Sequence, residues 1–543
     1  MQIKLALAKA KRILGLSVLA VAVSSPVTAF AQEAEEGEDD ESGPVEETPA
    51  EKAAGPSAAP PPSATTPPAP PPAAPPAPPP SPFTLSVKGF VSGSISMQDG
   101  ASAAGNYNLF LFNSTRGGNG DWMYGGDVRQ SQLKFFITGP TLIGAVPTAG
   151  FDFDMLGGQQ IQSAPGLIAP PTTVLAPGMP DAMGMPGAPR PIQIGGWPTG
   201  TSAQGDENIL PRVRLAYLEL NWGGGEDILR IGQFHNLIVP MIPASLGHIG
   251  APLGYGAGQL GWRAPGITYQ HTFKLGDTTS LAASIQLNRN NWADNVGACP
   301  GSGSPLQVDA PPVQSSRTNN CLPHGVSFAE ASALPQVQAR LMLSGPPKPS
   351  PFPLYAPNAW QLHLVGVWDQ KDASGFGLDP EAGATYKDTL TTMIVSGGFK
   401  ATLGPVLVAG HGWYGKNAGS LFGHIFAAQH PQAGDINGFG AWGQLGFSIT
   451  PQLGLWAFGG IDKPNKADIL KTMGNYYTQN VQLCAMLSFV AGPLAFSLEY
   501  MRIMSDFTTS ALPASPATGN MAIAERTVSN SMNQISANGA FFF

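Results

Sequence analysis

Residues 481–500 read Val-Gln-Leu-Cys-Ala-Met-Leu-Ser-Phe-Val-Ala-Gly-Pro-Leu-Ala-Phe-Ser-Leu-Glu-Tyr. From Val481 to Leu498 the chain comes nearest to an apolar run of helical spanning length. Gln482 interrupts that run, and Ala491-Gly492-Pro493 divides it into two pieces of strand length, which is how a tight turn is written. Each piece alternates. Val481, Leu483, Ala485, Leu487 and Phe489 share one face of the first; Leu494, Phe496, Leu498 and Tyr500 share one face of the second. Gln482, Cys484, Ser488, Ser497 and Glu499 point the other way. A period of two residues with one apolar and one polar row is a β-hairpin. In a transmembrane β-barrel the apolar row meets lipid and the other a wet interior.

The same alternation recurs at Gln132–Ile137, Leu281–Asn288, Trp360–Trp368 and Ala441–Ile449. The connections between such segments fall into two classes. Gly223-Gly224-Gly225, Leu275-Gly276-Asp277, Leu403-Gly404-Pro405, Thr450-Pro451-Gln452 and Ala491-Gly492-Pro493 are tight. Their alternates, such as Gly157 to Ile209, His235 to Gln259, Asn291 to Ala333 and Lys416 to Asn437, are long. A soluble sandwich would turn at short intervals at both ends, whereas an outer-membrane barrel has short turns on one rim and long loops on the other. The spacing predicts an all-β transmembrane antiparallel barrel of sixteen strands, with Pro335 to Leu343 as the least regular of them. Sixteen strands enclose a lumen wide enough for water. The chain closes on Ile535, Ala537, Gly539, Phe541 and Phe543 along one face. The terminal aromatics Phe541 and Phe543 resemble the membrane-insertion signal of bacterial outer-membrane proteins, which implies lipid and the barrel-assembly machinery as partners.

The composition divides the chain accordingly. Of 543 residues only 12% are charged, while Gly numbers 67 and Pro 54. Residues 1–31 hold Lys4, Lys9, Lys11 and Arg12 without an acid, then an apolar run from Ile13 to Val23 and the small-residue pattern Ala29-Phe30-Ala31. This is a secretory signal with cleavage expected near Gln32. Residues 32–82 are acidic up to Glu51 and then mostly Pro, Ala and Ser from Pro56 to Pro82. Such a segment cannot bury a core and reads as a disordered, partly polyproline periplasmic linker. The barrel domain is then 83–543, in the outer membrane of a Gram-negative cell. The stated net charge of −8 separates into +4 for the signal, −9 for the linker and −3 for the barrel. No basic face tracks a phosphate backbone, so nucleic acid is not an expected partner.

Gln130-Ser-Gln-Leu-Lys134, Gly150-Phe-Asp-Phe-Asp154, Arg212-Val-Arg-Leu-Ala-Tyr217, Leu229-Arg-Ile-Gly-Gln233, Ile267-Thr-Tyr269 and Gln338-Ala-Arg-Leu341 stand in the order seen in DcaP-like porins. The chain resembles that family visibly over roughly residues 83–345. The resemblance implies a homotrimer of sixteen-stranded diffusion channels passing small hydrophilic, often anionic, solutes. The family's periplasmic coiled coil has no counterpart in the Pro-rich linker.

An inward row of Lys134, Asp152, Asp154, Arg212, Arg214, Arg230, Arg340 and Lys400 is expected to line the pore. Basic residues on a low-dielectric wall concentrate anions; Asp152 and Asp154 equally suit neutralising cross-strand pairs with Arg212 and Arg214. On that strand Leu218 and Leu220 fall in phase with the arginines unless a bulge intervenes. Cys299 and Cys321, in one exterior loop, are expected to form a disulfide in an oxidising compartment, with Cys484 left as a small buried residue. The apolar loops Gly157 to Ile209 and His235 to Gln259 are both suited to folding into the lumen or to packing against a rim or trimer neighbour. Two Gly-x-Gly-x-x-Gly matches, at Gly410 and Gly438, open no helix and read as strand glycines. No cofactor, catalytic set or metal-ligand spacing is recognised, His411, His424 and His430 included. The expected function is a water-filled channel and not an enzyme; the alternative is an adhesin or surface receptor with a plugged lumen.

Overall fold

A computed structural model describes residues 83–100, 122–157, 210–239, 241–289, 332–348, 358–372, 389–424, 435–470, 475–509 and 526–543, with positions 102, 111 and 355 and segments 172–175 and 191–194. The expected signal, the linker, and both Cys299 and Cys321 lie outside these residues, as does most of the loop from Gly157 to Ile209.

The strands, in chain order, are β1 (Thr84–Gln98), β2 (Met123–Asp127), β3 (Gln132–Thr138), β4 (Val146–Gly157), β5 (Thr172–Leu175), β6 (Pro191–Ile194), β7 (Leu210–Trp222), β8 (Asp227–His235), β9 (Arg263–Lys274) and β10 (Ser280–Asn288). They continue as β11 (Gln336–Ser344), β12 (Trp360–Asp372), β13 (Thr389–Leu403), β14 (Val406–Lys416), β15 (Asn437–Ser448), β16 (Leu453–Pro464), β17 (Asn475–Ala491), β18 (Leu494–Thr509) and β19 (Arg526–Phe542). β5 and β6 pair only with each other, and the remaining seventeen form one antiparallel sheet. Thr84–Phe90 of β1 pairs with β3, and Ser94–Gln98 with β2, so β2 and β3 are two halves of one barrel position. β1 also pairs with β19, from Phe90 opposite Phe542 to Gln98 opposite Gln534, which closes the ring at sixteen positions. The segment expected to be least regular is β11, seated between β10 and β12.

The closing seam shows why the chain end matters. The Gly89 and Phe543 backbones exchange hydrogen bonds of 2.8 and 3.0 Å, and a Cβ on Gly89 would strike the Gln132 carbonyl oxygen. Phe541 and Phe543 are about half exposed on the outer face beside the seam.

Burial follows the sequence alternation. On β17 and β18 Leu483, Leu487, Phe489, Leu494, Phe496, Leu498 and Tyr500 are exposed, whereas Gln482, Cys484, Ser488, Ser497 and Glu499 are buried. Val87, Val91, Ile267, Ile285, Leu341, Leu364, Val395 and Leu445 extend that exposed apolar face around the ring. A barrel with apolar residues outside and polar residues inside is arranged for a lipid surround. Aromatic residues mark both margins: Phe273, Phe447, Phe489 and Phe496 near the tight turns, Tyr124, Trp368, Tyr414 and Phe439 near the long loops. Of the two glycine-rich matches, one lies on β14 and one on β15, with Gly410 opposite Gly443 and Gly415 opposite Gly438.

β7 carries the bulge that its phase required. Asp152 faces Leu215 and the next residue, Phe153, faces Val213, so Arg214 is the extra residue. Arg214 and Leu215 are both buried, after which Leu218 points outward and Glu219 inward. The interior is less uniformly polar than the alternation implies. On β14–β19 the inward residues Leu407, Trp442, Trp456, Phe458, Met486, Met501 and Met532 form an apolar cluster with Met241, Leu246 and Leu253 of the β8–β9 loop.

Candidate functional site

Of the two apolar loops suited to the lumen, the one between β8 and β9 is described, and it lies inside the barrel. Its course is fixed by inward side chains. The Leu237 and Ile238 N–H groups donate to Gln286 Oε1 (2.9 Å) on β10 and Gln338 Oε1 (3.1 Å) on β11. Ala244 is held at both its N–H and its carbonyl by the amide of Gln444 on β15 (2.7 and 2.8 Å). Glu499 on β18 accepts from Ser245 Oγ (2.7 Å) and from the Leu246 and Gly247 N–H groups (both 2.9 Å). Gln130, between β2 and β3, accepts from the Gly250 and Ala251 N–H groups (2.7 and 3.2 Å) and donates to the Gly247 carbonyl. The return limb meets Gln482 and Asn480 on β17 and Trp413 on β14, whose Nε1 donates to the Gly258 carbonyl (3.0 Å). A loop lacking helix or sheet must satisfy its backbone groups elsewhere when buried, and here Gln, Asn and Glu of the wall supply the partners. Burial holds the His248 ring below the ordinary histidine range against the opposing pull of Glu499. Its Nδ1 lies 3.2 Å from the Ala251 carbonyl.

Close approach on the return limb demands glycine. Gly258 has φ of +100°, and a Cβ there would collide with the Ala441 backbone of β15. Gly258→Ala is expected to lower stability by about 1–3 kcal/mol and to unseat this limb. Gly224→Ala serves as the control, because Gly224 also has positive φ but has nothing within 4 Å of the added Cβ. Equal thermal midpoints for the two variants would show that the contact with Ala441 does not hold the loop.

The charged residues meet on β4 and β7 and on the strands beside them. Arg212 Nε and Nη2 donate to Asp154 Oδ1 and Oδ2 at 3.0 and 2.6 Å, a two-pronged pair on a carboxylate with no exposed surface. Arg214 lies 3.6 Å from Asp152 and 3.4 Å from Asp154. Lys134 stands opposite Asp152 on one side and Lys88 on the other. Arg230 pairs with Glu219 and lies 4.7 Å above the Tyr217 ring. Thus Lys134, Asp152, Asp154, Arg212, Arg214 and Arg230 come together on one wall. Arg340 stands on β11, 3.4 Å from Gln270 Oε1, and Lys400 lies farther round on β13, opposite Gln361.

Sequence reasoning passed over Arg263, at the junction of loop and β9. It is buried, stacks on Trp262 at 4.1 Å, and leaves Nη1 without a hydrogen-bond partner. Arg214 Nε, Arg340 Nε and Asp152 Oδ1 are also buried without a hydrogen bond. Basic side chains on this wall outnumber Asp152, Asp154 and Glu219, so the ion pairs leave a positive excess with donors to spare. Such a wall can hold small anions. Cys484 is buried, Cα-paired to Met501, with Glu499 Oε2 4.0 Å from its sulfur. Among the described residues no group of three His, Cys, Asp or Glu is placed to hold a metal.

Comparison with solved structures finds similar chains. The chain is similar to the outer membrane channel DcaP of Acinetobacter baumannii, at 12% identity over 85% of this chain and 97% of that one, with a TM-score of 0.49. It is also similar to an anion-selective porin from Comamonas acidovorans, at 11% identity over 85% and 100% of the chains and a TM-score of 0.44. Salmonella typhi OmpF, solved in complex with daunomycin, matches at 11% identity over 84% and 97%, with a TM-score of 0.42. No protein-family model matches the chain. No curated protein sequence matches it either.

Proposed function

We propose that this chain is an outer-membrane diffusion channel for small hydrophilic anions, exported by the signal 1–31, tethered to the linker 32–82 and assembled as a homotrimer. The observation that carries the reading is the divided interior. The inserted loop packs on apolar inward residues of β12–β19, while Lys134, Asp152, Asp154, Arg212, Arg214 and Arg230 gather on the wall of β3, β4, β7 and β8. Selectivity in such a channel comes from width and from the charges along the path, with no covalent step. The trimer rests on the resemblance of the strand motifs to DcaP-like porins. The disulfide between Cys299 and Cys321 belongs to the same reading, since both would meet an oxidising compartment before insertion.

The competing reading is a plugged barrel whose outer loops serve as adhesin or receptor; the loop's apolar packing across the lumen favours it. Ion current decides between them. Purified protein in planar bilayers is expected to give stepwise conductance, in multiples of three if the subunits insert as a trimer. Folded protein without current would overturn the channel.

A further inference from the structure

We propose that His363 and His411 form a lumenal site for a divalent transition-metal ion that favours imidazole nitrogen, of the class of Zn²⁺ and Cu²⁺. The two residues are 48 positions apart in sequence and are joined by sheet register. His363 on β12 faces Gly398 on β13, and Gly398 in turn faces His411 on β14. A glycine at the middle position leaves no side chain between the imidazoles, whose ring centroids lie 5.5 Å apart at a tilt of 46°. With metal–nitrogen bonds of about 2.0 Å, two imidazoles at a tetrahedral angle on one ion have centroids about 5.2 Å apart. The observed pair sits at that spacing.

Hydrogen bonding points the same way. Both residues are buried, and all four of their ring nitrogens lack a hydrogen-bond partner. A buried imidazole ordinarily satisfies its nitrogens, so four orphaned nitrogens in adjacent rings call for a ligand. Trp442 backs the pair in the same register row, its ring 6.4 Å from His411 with planes 7° apart. Gln361, two residues before His363 on the same face, also presents a buried, unpartnered Oε1. That oxygen and water can complete the coordination, since no third His, Cys or carboxylate joins the pair among the described residues. Arg340 and Lys400 occupy inward positions on the flanking strands. Their charge opposes any divalent cation, so the ion must be held by its donors: the pair offers no carboxylate oxygen of the kind that Ca²⁺ and Mg²⁺ require, and its imidazole nitrogens suit transition metals.

The test uses the folded full-length protein in detergent, first by equilibrium dialysis against Zn²⁺ and then by electron paramagnetic resonance with Cu²⁺. The expected result is saturable binding of Zn²⁺ and a Cu²⁺ spectrum with superhyperfine splitting from two nitrogens. H363Q and H411Q should each weaken Zn²⁺ binding by at least about tenfold, with heat-dependent gel mobility confirming that each variant is folded. Absence of saturable binding, a wild-type Cu²⁺ spectrum without two nitrogen ligands, or full affinity in the folded double variant would each overturn the site. None of these readouts needs ion current, so the site and the channel reading fail separately.

Discussion

Glu499→Ala is expected to release the inserted loop and change a steady ion current into a larger and noisier one. Glu499 Oε1 accepts from the Leu246 and Gly247 N–H groups and from Ser497 Oγ (2.8 Å), while Oε2 accepts from Ser245 Oγ. Hydrogen bonds to a charged acceptor are worth about 1.5–3 kcal/mol each, and water entering the vacated space recovers part of that. A net loss of about 3 kcal/mol in docking of residues 245–247 follows, roughly a hundredfold in the docked-to-undocked ratio. Glu499→Gln should be milder. Its remaining oxygen can still face the two N–H groups, and its amide can donate to Ser245 Oγ. The order wild type, Gln, Ala should therefore appear both in open-channel noise and in protease cleavage between Met241 and Leu253. Identical noise and cleavage across the three would show that Gln130 and Gln444 hold the loop without Glu499.

This clasp illustrates what the sequence could and could not show. Strand order, closure and the outward face were legible because a period of two survives in each strand, as in Leu483, Leu487 and Phe489. Tight and long connections then fixed which rim was which. The interruption of the second barrel position was not legible. Val128-Arg129-Gln130-Ser131 contains no glycine or proline, and the step is held by contacts at a distance, such as Ser131 Oγ receiving the Ser92 N–H. The β7 bulge was detectable as a conflict of phase between Arg212 and Leu218, because sheet periodicity allows no other remedy. Choosing which loop enters the lumen required its partners, and Gln444 and Glu499 lie about 200 and 250 residues from the segment they hold. The apolar interior was hidden because Trp442, Trp456 and Phe458 share the inward rows with Gln444 and Ser448. His363 and His411 match no ligand spacing for the same reason that their rings meet: antiparallel register, not sequence separation, brings them together.

Register also changes which charges should be altered to test anion preference. Reversing Arg212 would set a carboxylate against buried Asp154, and breaking a buried pair costs about 3–5 kcal/mol, so a change in current there would mix selectivity with misfolding. Arg263 and Arg340 are better probes, since neither enters an ion pair among the described residues and each has a buried N–H without a partner. Arg263→Gln and Arg340→Gln keep donors in place and remove only charge. At about 10 Å in water one unit charge favours an anion by about 0.4 kcal/mol and disfavours a cation by as much, so each variant should lower the anion-to-cation permeability ratio by about fourfold and the double variant by about sixteenfold. Screening shortens to about 3 Å at 1 M salt, so the shift in reversal potential should be largest under dilute gradients and fade as salt rises. If the double variant keeps the wild-type ratio in dilute salt, these arginines do not face the ions that pass, and the path must run along another part of the wall.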